Sequence, residues 1–127
     1  MKILGIGVDI IQNKRIQILI KNKSFIQRTF GKNEVKFSKK NLNKTNYFAK
    51  RFAAKEAFAK SLGTGISKGL NFNEIEVKNN ISGKPYLKIR GNSLKTVYKI
   101  IKKKKFKTSL SLSDDKPFAI AVVILTV

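Results

Sequence analysis

Two carboxylates occupy apolar surroundings in a chain that has few acids at all. Asp9 interrupts the run ILGIGVDII at residues 3–11, and Glu56 lies inside FAAKEAFAK at residues 52–60. The chain carries 7 Asp plus Glu against 28 Lys plus Arg, a net charge of +21. An apolar strand and an apolar helix that each carry an acid are restricted to folds that compensate both charges, because an uncompensated carboxylate removed from water is destabilising. Both are hard oxygen ligands, and two of them suggest a Mg²⁺ site that keeps some waters and recruits substrate phosphates.

Composition narrows the chemistry further. The 127 residues suit one domain with a substantial core. The absence of Cys removes disulfides and thiolate sites, and the absence of His removes imidazole chemistry. A general base must then be Asp, Glu, Lys, Tyr or a metal-bound water. The N-terminal apolar run is short and broken by Asp9, unlike a signal peptide, and no segment has the length of a membrane span. The chain reads as cytoplasmic. The large positive charge suits an acidic macromolecular partner or nucleic acid. The abundance of Lys, Asn and Ile also fits compositional drift, with most lysines simply solvated. The run Lys102–Lys105 is the best candidate for a nucleic-acid contact.

Hydrophobic periodicity organises the chain. Residues 2–11 read as a strand buried on both faces, with Gly5 and Gly7 allowing close backbone approach. A helical pattern starts at Gln12, Ser24 is a candidate cap for a second helix, and Gly31 is expected to stop it. A third short helix is expected from Asn33 to Lys39. The strongest helical signal spans Asn46–Leu62, where Phe48, Phe52, Glu56 and Lys60 share a face at about 100° per residue. Such a Glu–Lys pair also serves as an ordinary surface stabiliser, but here it sits among Phe and Ala. Beyond Gly69 the period becomes two, predicting strands around Phe72–Val77 and Tyr86–Ile89, with Pro85 opening the second. A helix over Ser93–Ile101 precedes closing strands over 107–113 and 118–127. The architecture expected is α+β: a single compact domain, mainly antiparallel sheet, with a helical insertion after the first strand.

Four ordered blocks carry a family resemblance: GIGVDI (5–10), RFAAKEAFAKSLGTG (51–65), SGKPYL (82–87) and LSLSDDKPFAIAVVIL (110–125). Together they resemble the holo-acyl-carrier-protein synthases, the short bacterial 4′-phosphopantetheinyl transferases, over about residues 1–125. The resemblance implies transfer of the 4′-phosphopantetheine arm of coenzyme A to a serine of an acidic apo acyl carrier protein for fatty acid biosynthesis, releasing adenosine 3′,5′-bisphosphate. It places the metal ligands at Asp9 and Glu56 and the helical lysine at Lys60. It puts the carrier-docking segment at about Asn13–Phe25, where Arg15, Lys21 and Phe25 are the candidate contacts. It also implies a homotrimer with active sites between subunits, with no membrane and no specific nucleic acid as partner.

The residues suit that reaction chemically. Mg²⁺ on Asp9 and Glu56 would neutralise a diphosphate, Lys60 would contact a phosphate oxygen, and Glu56, directly or through water, is the first candidate to take the serine proton. For the coenzyme, Gly63, Thr64 and Gly65 offer a turn with free N–H groups, although Gly63 equally suits a plain helix C-cap. Lys55, Arg51 and Lys84 are candidates for its phosphates, with Pro85, Ser113 and Asp114 completing the set. Asp114 stands where the family usually has histidine, an extra anion beside a nucleotide. Two alternatives remain open: a basic RNA-binding module of ribosomal type, and a degenerate transferase without activity.

Overall fold

The first strand, β1 (Ile3–Gln12), is bare on the side where a helix must come close. A Cβ on Gly7 would lie 1.8 Å from the Ala57 carbonyl oxygen, and one on Gly5 would lie 1.9 Å from that of Ser61. Both partners belong to the long central helix α4 (Lys44–Ser61), which therefore rests backbone to backbone on β1. The computed structural model describes residues 1–63 and 68–127. Between β1 and α4 lie three short helices, α1 (Asn13–Leu19), α2 (Lys23–Thr29) and α3 (Lys32–Ser38). After α4 come a single 3₁₀ turn (Phe72–Glu74), the hairpin strands β2 (Ile75–Asn79) and β3 (Pro85–Ile89), helix α5 (Gly91–Ile101), and strands β4 (Lys107–Asp115) and β5 (Phe118–Thr126).

The α+β expectation holds, and every strand pairing is antiparallel. The strands form two sheets: β1-β5-β4, with β5 in the centre, and the separate pair β2-β3. β5 is the almost unbroken apolar run of the sequence, as suits a strand hydrogen-bonded on both edges. The expectation that β1 is buried on both faces is corrected. Gly7 and Ile11 are covered by α4, whereas Ile6, Val8 and Ile10 on the other side are more than half exposed. Their register partners Ile124, Val122 and Ile120 continue that apolar outer face across β5. Alternation of side chains about a strand sends every second residue outward regardless of its chemistry.

Capping chemistry sets the helix limits. The cap of α2 is Asn22 rather than Ser24, since its side-chain oxygen accepts from the Ser24 and Phe25 N–H groups at 2.9 and 3.2 Å. Gly31 precedes α3 as its N-cap. Asn43 caps α4, and Gly63, at a φ of +75°, follows its last turn. Phe25, Phe30, Phe48 and Phe52 interlock on one side of α4, each such burial contributing about 1.5–3 kcal/mol.

An unexpected clamp ties α3, α4 and β2 together. Glu34 is buried, and its carboxylate accepts from the Gly31 N–H (2.9 Å), the Val77 N–H (3.0 Å) and the Lys55 ammonium (2.7 Å). Lys55 is fully buried and gives its remaining protons to the Phe72 and Ile75 carbonyls. Burial pushes the Lys55 pKa down, and the charge of Glu34 opposes that shift. Lys55→Met strands the Glu34 charge and is expected to cost about 3–5 kcal/mol in denaturant unfolding. The double change Glu34→Gln with Lys55→Met should recover part of that loss, and an additive double mutant would contradict a coupled pair.

Candidate functional site

Asp9 projects from the helix-facing side of β1, in line with Gly5 and Gly7 and opposite Ala121 of β5. The same glycines that let α4 approach the strand carry Asp9 toward the C-terminal half of that helix. Lys60 reaches across, its ammonium donating to Asp9 Oδ1 and to the Val8 carbonyl, both at 3.1 Å. Glu56 stands one turn earlier on α4, on the stripe that begins in the core with Phe48 and Phe52 and ends exposed at Lys60. Its pKa is raised, first by burial and then by the negative charge of Asp9, while Lys60 and Arg15 oppose the shift. Two acids and two cations from β1, α1 and α4 thus act on one another electrostatically.

The donor set fits a divalent cation. The charge of Asp9 disfavours ionisation of the Glu56 carboxyl, and a shared positive charge would relieve that repulsion. Among the described residues no group of three or more His, Cys, Asp or Glu forms a complete cage, so an ion here would take its other oxygens from water and from a bound ligand, the habit of Mg²⁺. Lys60 is more than half exposed and free to exchange its contact with Asp9 for a phosphate.

Other expected site residues fall differently. Lys55 is not a phosphate contact: its ammonium is enclosed and fully used by Glu34 and two carbonyls. Phe25 is not a docking residue, because it is buried against Phe30 and Phe52. Arg15 and Lys21 are exposed. Gly63 ends α4, its N–H donating to the Lys60 carbonyl, while Thr64 and Gly65 lie outside the described residues. Lys84 is exposed in the hairpin turn and Pro85 opens β3. Ser113 and Asp114 are exposed near the end of β4, separated from β1 by the whole width of β5.

Arg51 gains the weight that Lys55 loses. Its guanidinium stacks 3.6 Å from the centre of the Tyr47 ring, donates to the Tyr47 carbonyl and the Asn79 side chain, and keeps Nε without a partner. It lines a cleft of about 560 Å³ with Lys40, Lys78 and Tyr86. The residue missed by sequence reasoning is Glu34, although the argument applied to Asp9 and Glu56, a scarce acid beside apolar positions, would have found it.

A raised Glu56 pKa has a stability consequence of definite sign. The folded state holds this proton more tightly than the unfolded chain, so stability falls as pH rises from the ordinary glutamate value through the raised one. In metal-free buffer at neutral pH, Glu56→Gln is therefore expected to melt no lower than wild type by calorimetry. Its advantage should vanish as the pH falls below the glutamate range; a lower Tm for the variant at every pH would refute the desolvated acid.

Comparisons with known proteins identify the family. The family model for the 4′-phosphopantetheinyl transferase superfamily matches residues 5–123. A holo-[acyl-carrier-protein] synthase of Pelagibacter ubique is 48% identical over 125 residues, covering 98% of each chain, and one of Ehrlichia chaffeensis is 42% identical over 128 residues, covering 97% of this chain and 96% of that one. Among solved structures, a holo-(acyl-carrier-protein) synthase from Bacillus anthracis in complex with CoA (3′,5′-ADP) superposes with a TM-score of 0.81 at 37% identity, covering 99% of this chain and 98% of that one. The Neisseria meningitidis holo-[acyl-carrier-protein] synthase gives 0.84 at 36% identity, covering 98% and 99%. Matched by that model over most of its length and by a relative 48% identical across 98% of both chains, the chain belongs to the 4′-phosphopantetheinyl transferase superfamily.

Proposed function

We propose that this protein transfers the 4′-phosphopantetheine arm of coenzyme A to a serine of apo acyl carrier protein, in support of fatty acid biosynthesis. The observation that carries the reading is the convergence of Asp9, Glu56 and Lys60 on one edge of the β1–α4 contact. Asp9 and Glu56 would hold Mg²⁺, which when bound neutralises the diphosphate of the coenzyme. The serine Oγ attacks the β-phosphorus, and the bond between that phosphorus and the bridging oxygen breaks. Adenosine 3′,5′-bisphosphate leaves with the electron pair, and the serine proton passes to the Glu56 carboxylate, directly or through one water. The raised pKa of Glu56 suits it as acceptor. Lys60 neutralises a phosphate oxygen as a compact donor, and the Arg51 cleft supplies cationic and aromatic groups for the nucleotide end.

Among the described residues, Asp9 and Glu56 line none of three surface clefts. On the side of β1 opposite Asp9 lies an exposed apolar sheet face, Ile6, Val8 and Ile10 of β1 with Ile120, Val122 and Ile124 of β5. This supports a homotrimer in which a second copy completes the site and covers that face. Arg15, whose charge reaches Glu56, and Lys21 suit an acidic carrier protein arriving at that site. No described helix is long and apolar enough to cross a membrane, and we place the enzyme in the cytoplasm with its substrates. The convergent acids favour this reading over an RNA-binding module, to which carboxylates contribute nothing. Asp114 is the feature that would fit a degenerate, inactive relative.

Three measurements decide. Transfer of a labelled pantetheine arm from coenzyme A to apo carrier protein should require added Mg²⁺, and Asp9→Ala or Glu56→Gln should lower kcat/KM by about a thousandfold; full turnover in both variants would remove the mechanism. Charge reversal at Arg15 and Lys21 should raise KM for carrier protein by about tenfold and leave KM for coenzyme A unchanged, whereas equal effects on both would place docking elsewhere. Val8→Lys should convert a trimer to monomers in sedimentation velocity, and an unchanged species would argue against this face as the interface.

A further inference from the structure

Helix α3 sorts its charges by face. Its one acid, Glu34, turns inward to Lys55, Gly31 and Val77. Lys32, Lys36 and Lys39 are all exposed, and none is paired with a carboxylate among the described residues. At spacings of four and three residues they share one face and span about 10 Å along the helix axis.

That face borders a cleft of about 800 Å³ lined from α2 and α3, with the half-buried Ile26 and Val35 as its apolar part. Arg90 also lines it. Of the two nearby acids, Glu74 lines the cleft itself and Glu76 keeps its Oε2 without a hydrogen-bond partner. Glu74 accepts from Asn71, from the N–H groups of Asn92 and Ser93 and from the Ser93 hydroxyl, and Glu76 pairs with Arg90 at 3.0 Å. The cleft therefore offers an apolar part beside a row of unpaired cations.

We propose that this cleft is a second docking surface, receiving an acidic amphipathic helix of the carrier protein while α1 meets the region around the acceptor serine. The inference rests on the transferase reading for the identity of the partner. A helix with acids at four- and three-residue spacings beside an apolar stripe matches both the lysine row and the apolar part. Single-stranded nucleic acid fits less well, since the one aromatic side chain at the cleft, Phe30, is buried and has no face free for a base to stack on. A bilayer fits less well because the apolar groups lie within a concavity.

The test compares two variants with the same change in net charge: Lys32→Glu/Lys36→Glu/Lys39→Glu on α3, and Lys103→Glu/Lys104→Glu/Lys105→Glu beyond the opposite end of α5 from Arg90. Fluorescence anisotropy with labelled apo carrier protein and steady-state transfer are measured on both at several salt concentrations. The α3 variant is expected to weaken carrier binding and raise its KM by about tenfold, with a shallower salt dependence and with kcat and KM for coenzyme A unchanged. The control variant should stay within about twofold on every measure. Equal losses in both variants would show a diffuse field and overturn the inference, as would no loss in either. RNA bound at physiological salt and released only by the α3 changes would also overturn it, in favour of nucleic acid. Binding that depends on α3 without any transfer by the wild type would sink the transferase reading and leave the docking surface standing. Absence of both binding and transfer would remove the two together.

Discussion

Everything about the site depends on the nearness of β1 to α4. With no Cβ on Gly5 or Gly7, the strand backbone touches the backbone of the helix at Ser61 and Ala57, themselves small residues. At ordinary strand-to-helix separation Lys60 could not span to Asp9 and the Val8 carbonyl together, and Glu56 would not feel the charge of Asp9. The glycines are thus positional for chemistry they do not perform. Substituting either by alanine would force the two backbones apart or displace the register between them.

The scarcity of acids makes each one's position informative. Of the seven, Glu34 binds three elements at the centre of the molecule, Glu74 holds the first turn of α5, Glu76 pairs with Arg90, and Asp9 and Glu56 face one another. Only Asp114 and Asp115 are left exposed on the β4–β5 hairpin. The cations follow the opposite pattern. Lys55 is buried, and the remaining lysines lie wholly or partly open to water, where the long stem allows an ammonium to stay hydrated. The large net charge is therefore a property of the surface, while the interior is close to electrically balanced. Such a surface accelerates encounters with any acidic partner.

Particular residues show where local pattern sufficed. The helical period around Phe48, Phe52, Glu56 and Lys60 was legible because α4 is long and its apolar stripe repeats for several turns. Pro85 opened its strand as a residue without an N–H should, and the apolar run of 118–126 became the central strand. Lys55 was misplaced because it neighbours Glu56 in sequence but faces about 100° away around the helix, toward α3 and β2. Phe25 was misplaced for a related reason: a helix as short as α2 holds too few residues for its period to say which face turns inward.

The sequence by itself determined the classes of element and their order, and it marked the strand acid and the helix acid as the candidates for a site. These follow from side-chain period and donor chemistry, which act within a few residues. Only the tertiary structure decided that the sheet divides in two, that one side of β1 is left apolar and uncovered, that Glu34 and Lys55 saturate each other inside, and that Arg51 instead faces a cleft. Such outcomes depend on which distant surfaces meet, and a buried charge finds its partner across the fold, where no local period can indicate it.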